Sequence, residues 1–198
     1  MKLALSTLAL PRFEVENWME PLRALGVEGI EVAPGHSWPD PDLVDASAII
    51  RLRRAVEGAG LRVVGLHALL DDAPDLGLFA EGAARARTMD LIVARSAVCR
   101  DLGGQTLVLE AGRRHRLDER AAWVAARAFL EELLPRLEPH GTVLCLAPQP
   151  PAPGQFCASA RDCYMLANAL EHPALGLHLG ATALMRNDEM GHAPFCLV

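Results

Sequence analysis

The chain has no CxxC pair and no Cys/His pair at zinc-finger spacing, which excludes a structural zinc module of the finger or ribbon type. Its five cysteines, at 99, 145, 157, 163 and 196, are odd in number and read as reduced, cytosolic thiols. Basic residues are in deficit. Nineteen Lys and Arg against 25 Asp and Glu give a formal net charge of −6, so no broad electropositive surface is expected from which phosphate contacts could release counterions. A nucleic-acid partner is not expected. Long apolar runs are missing too: none approaches the ~18 to 20 residues that a bilayer span requires. The opening MKLALSTLAL is broken at Pro11 and lacks a small-residue cleavage site, so it reads as a first strand rather than a secretion signal. The expectation is a cytoplasmic protein that does not enter a membrane.

What is present is a βα rhythm. With 198 residues and 51% apolar composition, the chain is long enough to bury one core, and it reads as a single domain over 1–198. Short apolar runs at 2–9, 28–33, 61–68, 105–110, 142–147 and 174–180 predict six strands. Between them the apolar spacing turns helical. Val15, Trp18, Met19, Leu22 and Leu25 predict a first helix ending at Gly26. Ile49, Leu52, Ala55 and Val56 predict a second, and Met89, Ile92, Val93 and Leu102 a third that stops at Gly103 and Gly104. A fourth is predicted over 119–138, kinked or ended by Pro135, and a fifth from a Ser159 cap to Leu170. Strands alternating with helices specify a parallel α/β sheet. The architecture expected is a TIM-barrel-like (β/α) repeat. A full barrel takes about 250 residues, so an incomplete one with six or seven strands is expected, the seventh at 193–198. Open strand edges invite pairing, which predicts a homodimer through those edges or a tail that plugs the gap.

Four segments carry a family likeness. GVEGIEVAPGHSWPD at 26–40, LRVVGLHALL at 61–70, GTVLCLAPQPP at 141–151 and HPALGLHLGATAL at 172–184 occur in the order seen in the xylose isomerase-like TIM barrels, the sugar phosphate isomerase/epimerase group. Together they resemble that family over nearly the whole chain. The resemblance implies an isomerase, epimerase or related lyase that moves a proton beside a carbonyl while a divalent metal (Mn, Mg or Zn) polarises the oxygens. It also implies metal-ligating Glu and Asp at the ends of strands five and six. This sequence has Ala147 and Gly180 there, and neither side chain offers an oxygen. No cofactor is therefore assigned. GHAPFCLV, with His192, is faintly similar to a ligand-bearing later strand of the family.

Catalytic groups of an α/β barrel stand at the C-terminal ends of the strands. That rule selects Glu31, His67 and Glu110 as candidate catalytic residues, histidine being the side chain best suited to proton transfer near neutral pH. Candidate substrate contacts are His36, Trp38, Gln149, Arg113 and His178. Arg113 opens the run Arg113, Arg114, His115, Arg116, which could pair with a phosphate or carboxylate or could be a solvated loop. Glu31, His67 and His178 could equally be a hydrogen-bonded polar layer of the interior. Three functions stay open: a sugar-directed isomerase, epimerase or related lyase; an inactive relative that binds a ligand or a protein partner; and a barrel recruited to metal-free cyclisation or dehydration.

Overall fold

The computed structural model describes residues 2–112 and 117–191. Six parallel strands lie side by side in chain order: β1 (Ala4–Ser6), β2 (Gly29–Val32), β3 (Arg62–Leu66), β4 (Thr106–Glu110), β5 (Val143–Ala147) and β6 (Leu175–Leu177). Every strand predicted from the apolar runs is present, each shorter than its run. Among the described residues no pairing joins β1 to β6, so the sheet is not closed by hydrogen bonds. The predicted seventh strand at 193–198 lies outside the described residues.

The central strands are apolar on both faces because both are covered. In β4, Leu107, Val108 and Leu109 are all buried, and β5 follows with Leu144, Cys145, Leu146 and Ala147. Such continuous apolar strands are what a parallel sheet needs when side chains fill one side and helices cover the other. Their pairing runs in unbroken register from Thr106 opposite Val143 to Glu110 opposite Ala147. Gly65 of β3 faces Thr106 so closely that a Cβ there would strike the Thr106 backbone.

The helices are α1 (Met19–Ala24), α2 (Pro34–Ser37), α3 (Ala46–Gly58), α4 (Gly82–Asp101), α5 (Glu119–Leu137), α6 (Ala160–Leu170) and α7 (Ala181–Arg186). Side-chain caps start α3, α5 and α6. Asp45 accepts from the Ala48 amide, Asp118 accepts from the Ala121 amide, and Ser159 with Asp162 makes a reciprocal capping box on α6. Helix α4 stops where Gly103 takes a positive φ of 85°, which lets the Gly104 amide reach back to the Cys99 carbonyl at 2.9 Å.

Three sequence expectations need correction. Trp18 is 38% and Leu25 78% exposed, because Val15–Trp18 forms a 3-10 turn whose tighter winding breaks the expected stripe before the six-residue α1 begins. Pro135 neither ends nor interrupts α5, which continues to Leu137 and gives way to a 3-10 turn only at Glu138–His140. Near a helix end the missing proline N–H loses one bond, while Phe129, Leu130, Leu133, Leu134 and Leu137 hold this segment in the core. Finally, α2 and α7 carry no periodic signal of their own and were not expected.

Candidate functional site at the C-terminal strand ends

The ladder places several polar groups at one level. Glu31 is the third residue of β2, His67 follows β3, Glu110 closes β4, Ala147 closes β5 and His178 follows β6. The His67 amide bonds to the Val32 carbonyl at 3.0 Å and the His178 amide to the Leu146 carbonyl at 2.9 Å, so each histidine extends the parallel ladder by one rung. Their side chains meet. The two imidazole rings stack with centroids 6.2 Å apart and an interplanar angle of 27°.

A cleft of about 410 Å³ opens here, lined by His67, Glu110, Gln149, His178 and the start of α7. Its far wall is stapled. Asn187 donates to the Gln149 carbonyl at 3.1 Å and the Ala158 carbonyl at 2.7 Å, and the Glu189 carboxylate accepts from the Ala160 amide at 3.0 Å. The segment carrying α7 is thus fastened to the β5–α6 connection, which holds the cleft open on that side.

Ser6 Oγ lies 3.3 Å from His67 Nδ1. Ser6 was passed over in the sequence because nothing marks a serine in a short apolar strand. His178 Nδ1 is buried and has no partner among the described residues. Burial holds His178 below the ordinary imidazole range; the Glu31 carboxylate opposes this, neighbouring His67 adds to it and Glu110 opposes it. Burial, with a smaller push from Glu31, also raises the Cys145 thiol to about 11. Glu31 thus acts on the site through its charge without lining the cleft.

The other candidates lie elsewhere. His36 Nε2 donates to the Leu10 carbonyl at 2.7 Å and so ties the segment after β1 to α2. Trp38 is 9% exposed and packs in the core. Arg113 and His192 lie outside the described residues.

Ala147 and Gly180, both lining the cleft, bring no side-chain donor atom to it, and among the described residues no group of three or more His, Cys, Asp or Glu side chains is arranged to hold a divalent metal.

A sequence model described as xylose isomerase-like TIM barrel matches residues 19–191. No curated protein sequence matches the chain. Among solved structures, D-psicose 3-epimerase with D-tagatose from Clostridium cellulolyticum H10 superposes with a TM-score of 0.83 at 12% identity, over 100% of this chain and 69% of that one. L-ribulose 3-epimerase gives 0.75 at 19% identity, over 96% and 64%. The probable 3-DHS dehydratase AsbF from Bacillus anthracis gives 0.76 at 14% identity, over 99% and 69%. The chain therefore spans about two thirds of the length of these structures, and at such identities the likeness speaks for the fold alone.

Proposed function

The chain belongs to the xylose isomerase-like TIM barrel family, and on that premise we propose that it acts on or binds a small sugar-like molecule in the cleft at the C-terminal mouth, with the family's divalent-metal site eroded. One observation carries the reading. A cleft of about 410 Å³ with His67, Glu110 and His178 on its walls sits at the strand ends, where α/β barrels place their chemistry. That volume is in the range of small-molecule sites. The exposed Glu110 carboxylate is the proton acceptor best placed to meet a carbon beside a carbonyl. His67, braced by the Ser6 hydroxyl, and His178, kept neutral by burial, supply hydrogen bonds to substrate oxygens. The Glu31 carboxylate acts on His178 through its charge, against the effect of burial.

Ala147 and Gly180 favour a second reading, ligand binding without metal-dependent turnover, because a metal-free site must stabilise an enolate with hydrogen bonds alone. Self-association through the open edges of β1 and β6 belongs to the same proposal, and light scattering on the purified protein reads it.

The test is proton NMR in heavy water with a panel of pentuloses and hexuloses, with and without manganese. Deuterium entering the carbon beside the carbonyl, lost in Glu110→Gln and His67→Ala, supports catalysis. Saturation transfer to a sugar without deuterium uptake supports the binding reading. Neither signal from any sugar overturns the proposal.

A further inference from the structure

A second cavity, of about 250 Å³, lies between α5 and α6 and shares no lining residue with the cleft. Each helix gives it one carboxylate and one apolar side chain from its first two turns. On α5 these are Glu119 and Trp123, four residues apart, and on α6 they are Asp162 and Met165, three apart, so each pair falls on one helix face. The β5–α6 connection completes the lining with Gln155, Phe156 and Cys157.

The aromatic part of the lining is fixed by its neighbours. Phe156 meets Phe79 edge-on with ring centroids 5.1 Å apart, and Trp123 at 6.4 Å. The Phe156 amide donates to the Gly112 carbonyl at 3.1 Å, and Gln155 Nε2 donates to the same oxygen at 2.9 Å. A lining held in this way costs little to order when a ligand arrives. The cation–π contacts described in the chain lie at Phe13 and Phe129, so neither Trp123 nor Phe156 carries an arginine among the described residues.

The charge at the cavity is of one sign. Glu119 and Asp162 line it, and no Lys, Arg or His does so among the described residues. Arg120 and Arg161 adjoin these acids in sequence, but residues one apart do not share a helix face, and neither lines the cavity. Asp162 Oδ2 accepts from the Ser159 amide at 3.2 Å, which positions the carboxylate without neutralising it. The two helix N-termini add about half a positive charge each, which leaves the two full carboxylates in excess. The Cys163 thiol, which donates to the Cys157 carbonyl at 3.5 Å, registers the same field: its contact with the Cys157 thiol and its burial push it up, and the charges of Cys157, Asp162 and Glu189 push it further.

These groups together suit one class of ligand. Aromatic rings attract a cation through their quadrupole, the methionine thioether is polarisable, and the carboxylates supply opposite charge. A hard metal ion asks for about six or more oxygen ligands, which two carboxylates and apolar side chains do not offer. The cavity is also smaller than the ~300 Å³ at which drug-sized sites begin. We propose that this cavity binds a small quaternary ammonium, its methyl groups against Trp123, Phe156 and Met165 and its charge balanced by Glu119 and Asp162.

The experiment is NMR on the full chain labelled with 13C-methyl methionine, following the Met165 signal as choline chloride is added at constant ionic strength. A saturable shift is expected, with a dissociation constant on the order of 1 mM. Neohexanol, in which carbon replaces the charged nitrogen of choline, is the control and is expected to leave the signal in place over the same range. Glu119→Gln should weaken choline binding about two- to fivefold, the scale of one exposed charge contact. Trp123→Leu keeps apolar bulk but removes the ring and should weaken binding about two- to thirtyfold, whereas Trp123→Phe should retain most of the affinity. Unchanged circular dichroism and melting temperature show that the variants fold. A Met165 signal that choline never moves, one that neohexanol moves equally, or an affinity unaltered in both Glu119→Gln and Trp123→Leu overturns the proposal.

Discussion

Replacing Ala147 by Glu and Gly180 by Asp puts oxygen donors at the two strand ends where the family resemblance places metal ligands, and the structure separates the two energetically. Gly180 sits at φ −77° and ψ 120°, an ordinary extended conformation, and a Cβ there would lie 3.8 Å from His178 Cε1, an unstrained contact. It is also the N-cap of α7 and makes no side-chain cap, so Asp adds a capping acceptor that stabilises by about a few tenths of a kcal/mol, glycine being itself a tolerated N-cap. Ala147 is different. At 5% exposure, a carboxylate beside Glu110 is buried among like charge, and an uncompensated buried charge costs about 3–5 kcal/mol, less if the group takes up a proton. The metal-free double variant should therefore be less stable than the parent by roughly 3–5 kcal/mol, because the cap offsets only about a few tenths of a kcal/mol of the buried-charge cost. If the rest of a metal site persists around His67, Glu110 and His178, manganese at about a hundred times its dissociation constant returns about 2.7 kcal/mol. For a chain of this size that is a rise in melting temperature of roughly 5–11 °C. The assay is a thermal melt of parent, single and double variants with manganese, magnesium and zinc, alongside elemental mass spectrometry of the purified proteins. A parent that already carries stoichiometric metal would refute the eroded-site reasoning. A double variant indifferent to all three ions would refute the idea that the remaining site persists.

Two further outcomes follow from the same coordinates. Burial holds the folded-state His178 pKa below the ordinary imidazole value of 6.5, so in the window between the folded value and 6.5 the unfolded chain binds the extra proton; this contribution to stability is present above that window and is lost as pH falls through it. Urea denaturation from about pH 5 to 8 should show stability rising with pH by at most ~1.4 kcal/mol per pH unit from this group, and His178→Gln should flatten that slope; an identical slope in the variant counts against the buried, unpaired imidazole. Gly65→Ala should destabilise by ~1–3 kcal/mol or more, because the added methyl would drive into the Thr106 carbonyl, with the carbonyl carbon at 2.8 Å, and must push β3 away from β4. A melt that matches the parent would show that the β3–β4 spacing yields more easily than close-packed strands should.

Much of the architecture was legible in the chain because it rests on local rules. Apolar runs of strand length at 28–33, 105–110 and 142–147 read as strands, and Ser159 announced α6 by a cap that needs no tertiary partner. The rule that barrel chemistry stands at strand ends selected His67, Glu110, Gln149 and His178, which line one cleft, together with Glu31 and His36, which do not. Spacing alone could not say that Trp38 goes to the core, that His36 is occupied by the Leu10 carbonyl, or that Trp18 is turned outward by a 3-10 turn, since each depends on what packs across from it. Nor could it place Ser6 against His67, leave His178 Nδ1 without a partner, or bring Asp42 and Asp72 onto Arg95 from positions 53 and 23 residues away. The sequence by itself determined the order of strands and helices and the types of group at the mouth, because periodicity, caps and turn residues act over a few positions. Only the tertiary structure decided which polar atoms found partners, because that is settled by neighbours distant in the chain and by the water that burial removes.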